Sequence, residues 1–322
     1  MLNPAAEDWE KRRTFHHSLY PAARIAAERE GSVSVCLPAR ECGATIGEIV
    51  SVLSDLRRAG AIDEIVVVDA ASADGTAQIA ADAGAKVVQE GELMRVGESA
   101  QDGGSDRGDE RRERGSAQRG ERPELGPVLG KGDAMWRALS VLEGELVVFL
   151  DADSAGFSGH FATGLIGPIV CEPEVQFVKA FYRRPFEYGG ISLPEGGGRV
   201  NHLLARPALA LFYPQLGAVR QPLAGEVAAR RELLERVPFA TGYSVEIAML
   251  IDVWREVGLD GLAQVDLEVH RNRHQSLGAL GEMSERVLAT IARRLHEEKK
   301  LSQVDLSAAP VERPAFAAFT RS

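Results

Sequence analysis

The chain is poor in cysteine, has no long hydrophobic run and carries no surplus of positive charge. Only Cys36, Cys42 and Cys171 supply thiols among 322 residues. An odd number without metal-ligand spacing excludes a disulfide framework and a thiolate metal cluster, and makes a reducing cytoplasm the simplest home. No stretch reaches the roughly 18 apolar residues of a membrane span. Met1 to Glu30 is charged throughout and lacks the apolar segment of a secretory signal. A formal net charge of −10 argues against a general nucleic-acid binder, whose footprint is a basic patch. It does not exclude a phosphorylated small molecule, which needs only a few local Arg, Lys and backbone N–H groups. What remains is 45% hydrophobic and 26% charged, a soluble globular chain with ample core.

The first half alternates strand and helix signals, which implies βαβ units and a mostly parallel, Rossmann-like sheet flanked by helices. Ser32 to Leu37 is β-prone and ends at Pro38. Ile46, Ile49, Val50, Leu53 and Leu56 then recur at helical spacing, with Thr45 and Glu48 spaced as a capping box. Glu64 to Asp69 is a buried strand, Asp74 to about Ala83 a helix, and Lys86 to Gln89 a short strand. Lys131 to Leu142 reads as a helix and Glu145 to Leu150 as a strand. Between them, Gly97 to Arg122 offers almost nothing apolar to offset its ordering entropy and reads as a mobile surface insert. In the second half, Val175 to Arg184, Glu226 to Arg230 and Leu262 to Val269 are strand candidates. Helical stretches run from the glycines at 196–198 through Leu211, from Val245 to Val257 and from Leu277 to His296. From about Ser307 the chain has the character of a loop or arm.

Chemistry concentrates where strands stop. Val147-Val148-Phe149-Leu150 runs into Asp151-Ala152-Asp153. Side chains alternate along an extended chain, so both carboxylates should face the same way from the strand's carboxyl end, the rim where α/β sheets hold ligands. Two hard oxygen ligands there suit Mg²⁺ or Mn²⁺ against a diphosphate, while capping of the next helix is the plainer alternative. Pro38-Ala39-Arg40-Glu41 and Asp69-Ala70 close the first two strands, where a nucleoside could lie. A dinucleotide site would need G-x-G-x-x-G after the first strand, and that segment holds one glycine, Gly43. Gly130-Lys131-Gly132 places an ammonium and exposed N–H groups at a helix start without being a P-loop. Gly196-Gly197-Gly198-Arg199-Val200-Asn201 reads as an anion clamp for an acidic acceptor, because the guanidinium fork fits carboxylate or phosphate. His270 follows a strand and could complete a metal shell begun by Asp153, with Arg271 and Arg273 countering phosphate charge. Glu246 opens an apolar helix, where it favours the helix dipole or faces a sugar.

Taken in order, PARECGATIGEIV, EIVVVDAASADGT, LGKGDAMWRAL, VVFLDAD, VKAFYRRP, GGGRVNHLLARP, QPLAGE, GYSVEIAMLID and AQVDLEVHRNR resemble the actinobacterial-type glucosyl-3-phosphoglycerate and mannosyl-3-phosphoglycerate synthases. The resemblance runs from about Val33 to Ile291, outside the insert. It implies a retaining GT-A glycosyltransferase, dimeric and dependent on Mg²⁺ or Mn²⁺. Such an enzyme moves glucose or mannose from a UDP- or GDP-linked donor to the 2-hydroxyl of D-3-phosphoglycerate, for compatible-solute or polysaccharide synthesis. By position, Pro38, Ala39, Arg40, Glu41, Asp69, Ala70, Lys131, Asp151 and Arg271 would line the nucleotide site, and Leu223, Tyr243 and Glu246 the transferred sugar. Asp153 and His270 would hold the metal, and Gly198, Arg199 and Asn201 the phosphoglycerate. Glu246, Asp153 and Lys131 would carry catalysis. The implied layout is a helical arm at 1–30, a nucleotide-sugar half at 31–153, an acceptor half at 154–300 and a C-terminal arm at 301–322. The family often has Asn-Glu-Glu where this chain has Glu41-Cys42-Gly43, Ser at Ala70 and Thr at Asn201. A sugar-phosphate nucleotidyltransferase would want G-x-G-[ST]-R near the first strand, absent from Ala39 to Ala44. A non-catalytic sugar-nucleotide sensor would need neither Asp153 nor His270.

Overall fold

Short runs of Val, Ile and Leu between turn residues become the strands of one central sheet. A computed structural model describes residues 3–93, 125–188, 191–193, 196–271, 275–301 and 311–320. The chain opens with α1 (Pro4–Arg13), β1 (Thr14–His16) and α2 (Ala22–Glu28). β2 (Val33–Ala39), α3 (Ile46–Arg58), β3 (Glu64–Asp69), α4 (Thr76–Asp82) and β4 (Lys86–Gln89) follow. Next come α5 (Lys131–Ala138), β5 (Leu146–Phe149), α6 (His160–Cys171) and β6 (Phe177–Arg183). A hairpin of β7 (Phe186–Tyr188) and β8 (Ile191–Leu193) precedes a π-helical turn, Asn201–Ala205, and α7 (Arg206–Phe212). β9 (Val227–Arg230), α8 (Arg231–Arg236), β10 (Phe239–Ala240), α9 (Val245–Val257) and β11 (Leu262–Val269) lead into α10 (Leu277–Glu297). β12 (Glu312–Arg313) and α11 (Phe316–Thr320) complete it.

The eight-stranded sheet has the order β1-β11-β6-β9-β5-β2-β3-β4. All neighbours are parallel except β9, which runs antiparallel to both β5 and β6 and joins the two halves. Alternation along the strands fills a core on each face. Val66 and Val68 of β3 join Val147, Phe149 and Trp136 on one side. Ile65 and Val67 join Val35, Leu37, Val148 and Ile49 of α3 on the other. Each such buried side chain contributes roughly 1.5–3 kcal/mol.

Several sequence expectations change here. β2 continues through Pro38 to Ala39, because Pro38 pairs in register with Val68. Thr45 makes no capping bond; its hydroxyl donates instead to Ala152 O at 2.7 Å, fastening α3 to the turn that carries Asp151 and Asp153. The first thirty residues include a strand besides helices, since Thr14, Phe15 and His16 pair with Gln264, Val265 and Asp266 of β11. From Val311 the chain is docked rather than loose. The Trp136 indole N–H donates to Pro314 O at 2.8 Å, and Phe316 and Phe319 meet the Trp136 ring edge-on at 5.4 and 5.2 Å. Arg313 donates to the fully buried Asp133 at 2.7 and 2.8 Å. The insert expected at Gly97 to Arg122, and Arg273, lie outside the described residues.

Candidate active site

β5 stops at Phe149, and Leu150 N donates to Cys36 O at 3.1 Å before the chain turns. Asp151 and Asp153 therefore sit on the turn beyond the strand, and the expected alternation does not reach them. Both still line one cavity of about 310 Å³, because the turn itself faces it. The start of α5 brings Lys131 there, its Nζ 2.5 Å from Asp151 Oδ1 and 3.2 Å from Glu246 Oε1, in the first turn of α9. Burial works to neutralise the ammonium, but Asp151 and Glu246 override it and hold its pKa above the ordinary value. Gly225 passes close over this trio. A Cβ there would stand 2.6 Å from both Lys131 Nζ and Asp151 Oδ1, so a larger residue would make the ion pair shift.

Asp153 carries no ion pair among the described residues. Enclosure and the neighbouring Asp151 raise its pKa, with Lys131 and His270 acting against them. A cation beside Asp153 would relieve that repulsion. His270 lines the same cavity. Its Nε2 lies 2.8 Å from Ser154 Oγ and 3.0 Å from Glu226 Oε1, while its Nδ1 is buried without a hydrogen-bond partner. A carboxylate behind one imidazole nitrogen and a vacant lone pair on the other is the arrangement metal-ligating histidines adopt. Glu226 is itself fixed by the Tyr182 hydroxyl at 2.8 Å. Burial disfavours its charge, yet His270 and Arg184 outweigh burial and keep its pKa well below the usual carboxylate range. The residues present thus fit a divalent metal.

Gly198 adopts φ +68°, a left-handed backbone suited to glycine, just before the π-helical turn. Arg199 donates to Gln275 O at 3.1 Å on the way into α10. Asn201 is buried, and its side-chain oxygen accepts from Leu223 N at 3.1 Å. It therefore shapes the loop carrying Leu223 as well as facing the cavity. Arg184, just past β6, lines the cavity with a buried Nε that has no hydrogen-bond partner among the described residues.

The cavity brings together Lys131, Asp151, Asp153, Gly198, Arg199, Asn201, Leu223, Tyr243, Glu246 and His270. Pro38, Ala39, Arg40, Glu41, Asp69, Ala70 and Arg271 are not on its wall. The first six stand at the carboxyl ends of β2 and β3, where Ala70 N donates to Ala39 O at 2.9 Å. Glu41 spans the two loops: its N–H donates to Ser72 Oγ and its carboxylate accepts from Ala73 N, both at 2.9 Å. Asp69 accepts from Ser72 N and Gln89 through Oδ2, leaving a buried Oδ1 without a partner. Arg271 bridges to Ala155 through its backbone, with Ala155 N donating to Arg271 O at 3.2 Å. Sequence reasoning missed Arg184, Glu226 and Gly225. The first two had a weak signal, paired arginines after β6 and an acid opening β9; Gly225 had none.

A mostly parallel sheet whose rim ends in Asp-x-Asp, with a histidine just past a later strand in the same cavity, is the architecture of a glycosyltransferase of the GT-A fold. No protein-family model matches the chain. It is 39% identical over 292 residues to glucosyl-3-phosphoglycerate synthase of Mycolicibacterium paratuberculosis, covering 89% of this chain and 80% of that protein. The synthase of Petrotoga mobilis is 36% identical over 296 residues, covering 90% and 82%. In structure, mannosyl-3-phosphoglycerate synthase from Rubrobacter xylanophilus superposes with a TM-score of 0.82 at 39% identity over 99% of both chains. Glucosyl-3-phosphoglycerate synthase of Mycobacterium tuberculosis, crystallised with Mn²⁺, UDP-glucose and phosphoglyceric acid, superposes at 0.75 with 34% identity over 95% and 98%. The chain belongs to the glucosyl-3-phosphoglycerate and mannosyl-3-phosphoglycerate synthase family.

Proposed function

We propose that this protein transfers a hexose, glucose or mannose, from a UDP- or GDP-linked donor to the 2-hydroxyl of D-3-phosphoglycerate with retention of configuration. The observation that carries this reading is the pairing, in one cavity, of a metal-type corner (Asp153 and His270) with a guanidinium side (Arg184 and Arg199). Asp153 and His270 would hold Mg²⁺ or Mn²⁺, which when bound supplies positive charge to a leaving diphosphate. Residues 31–153 then serve mainly the donor and 154–300 the acceptor. Pro38, Ala39, Arg40, Glu41, Asp69 and Ala70 take the nucleoside at the open rim of β2 and β3, and Arg271 lies near its phosphates.

The protein's own groups do the rest by position and charge. Lys131, fixed between Asp151 and Glu246, keeps its ammonium charged and stationary near developing negative charge, so little reorganisation accompanies bond breaking. Glu246 and Tyr243, with Leu223 opposite, orient the sugar. Gly198, Arg199 and Asn201 seat the acceptor, the guanidinium pinning its carboxylate or phosphate so that one hydroxyl meets the anomeric carbon. Glu246 is engaged with Lys131, which suits an organising role rather than a nucleophile's and favours front-face attack.

The test incubates the protein with 3-phosphoglycerate, Mg²⁺ or Mn²⁺, and UDP-glucose, GDP-glucose or GDP-mannose in turn. Nucleoside diphosphate release with one donor, dependent on acceptor and metal, is expected. Release without acceptor, or none with any donor, would overturn the reading. We take the working unit to be a cytoplasmic homodimer, as the family resemblance implies; a monomer mass by light scattering would remove the dimer. No described helix is long and apolar enough to cross a membrane.

A further inference from the structure

At the opposite edge of the sheet from β4, parallel β1 and β11 bring together three ligand-type side chains that the transfer reaction does not use. His16 Nε2 lies 3.6 Å and His17 Nε2 3.4 Å from Glu268 Oε1. The three atoms all lie within 4.8 Å of one another, the one such group of three among the described residues. These separations exceed a well-formed charge-assisted hydrogen bond. They match the spacing around a four-coordinate ion, whose ligands at bond lengths of about 2.0–2.1 Å stand roughly 3.3 Å apart.

Two further features point the same way. His17 Nε2 is buried, and among the described residues the Glu268 carboxylate at 3.4 Å is the polar group it faces, without a well-formed hydrogen bond. Glu268 adopts φ +65° at the irregularity where β11 shifts register against β6, between Asp266 and Val269. That left-handed residue brings a carboxylate to the two imidazoles. Support lies behind each ring. His16 Nδ1 is 2.7 Å from Ser18 Oγ and 3.2 Å from Ser18 N. The His17 ring lies tilted at 33° against that of His160, centroids 4.2 Å apart. As it stands His16 Nδ1 accepts from Ser18 N; a cation on His16 Nε2 would move the ring proton to Nδ1, which would then donate to the Ser18 hydroxyl and give up the backbone bond.

We propose that His16, His17 and Glu268 form a second metal site, distinct from the Asp153 and His270 corner, that takes a borderline transition ion such as Zn²⁺ and not Mg²⁺. Two imidazoles and one carboxylate favour such an ion over a hard, oxygen-seeking one. The bound ion ties the N-terminal segment to β11 two residues before His270, and leaves its fourth position to water.

The experiment titrates the full-length Asp153→Ala chain with ZnCl₂ by calorimetry, which removes the cavity's own metal from the measurement. Binding of one ion with a dissociation constant on the order of micromolar or tighter is expected, unaffected by millimolar Mg²⁺. Adding His16→Asn or Glu268→Gln, both at half-exposed positions, should weaken it at least about tenfold. Co²⁺ in place of zinc should give the strong visible bands of a four-coordinate ion. A parallel thermal melt of the Asp153→Ala chain should show a zinc-dependent rise that the added His16→Asn removes. No zinc binding to Asp153→Ala, equal affinity in both variants, or displacement by Mg²⁺ would each overturn the proposal.

Discussion

Lys131, Asp151 and Glu246 form one side of the cavity, and there each charge has an opposite charge within 3.2 Å. On the glycine-rich side, Arg199 is held by a neutral carbonyl, Gln275 O, at 3.1 Å. The first side is ion-paired and packed, with one ammonium shared by two carboxylates, and a methyl on Gly225 would press on it. The second keeps a guanidinium, with five donors, next to a π-helical turn of the kind that often marks functional sites. Between them Asp153 has no ion pair and His270 has an unpartnered Nδ1. The Lys131 side is thus held by ion pairs across three elements, while the Asp153 and His270 corner is the part of the wall with room for a cation.

The largest effect should follow from altering the Asp153 and His270 corner. Asp153→Ala should lower kcat/KM by about 10³-fold or more and abolish metal-dependent nucleotide binding. Measured turnover within tenfold of the unaltered enzyme would place the cation elsewhere and collapse the contrast between the sides. Arg199→Ala should act on one substrate alone. Losing a charge-assisted contact predicts a rise of about 10- to 100-fold in KM for 3-phosphoglycerate with the donor KM unchanged. If both KM values rose together, the two sides would not be functionally separate.

Glu226→Gln should sit below these. It keeps the Tyr182 hydrogen bond but removes the charge behind His270, and should weaken Mn²⁺ binding about tenfold in an EPR titration. An unchanged affinity would make Glu226 a structural acid only.

The sequence spoke clearly where short-range pattern decides the outcome. α9 and β11 occur at Val245–Val257 and Leu262–Val269, the bounds their periodicity predicts, because an apolar face and an unbroken apolar run each have one good solution. Asp151, Asp153, Lys131, Arg199 and His270 were legible because strand ends and glycine turns flag themselves, and all five reach one cavity. β1 was not, since three residues at a sheet edge carry no period and owe their pairing to β11, some 250 positions away. The docking of Arg313 onto Asp133 was hidden for the same reason, since 180 positions separate the two residues. Glu226 looked like the first residue of a strand; only the fold places it under His270.

Lys179 offers the finest test of the ion-paired side. It projects from β6 into full burial, where its Nζ donates to Ala224 O at 2.7 Å and so fastens the loop that carries Leu223 and Gly225. Burial pushes its pKa down from 10.5 to about 8, with Lys131 adding to the shift and Glu246, Glu226 and Asp151 opposing it. Below about pH 8 the ammonium is charged in both folded and unfolded chains, and its desolvation destabilises the fold in full. Between about 8 and 10.5 the unfolded chain binds the extra proton, so stability rises with pH; above that window both forms are neutral. Lys179→Met lacks this term but leaves Ala224 O without its donor, a loss of about 1–3 kcal/mol that does not depend on pH. The stability of the unaltered chain minus that of Lys179→Met should therefore climb by up to the order of 3 kcal/mol across that window in urea unfolding. Parallel curves would mean that Lys179 keeps its proton in the fold, drawn into the same charge network that holds Lys131.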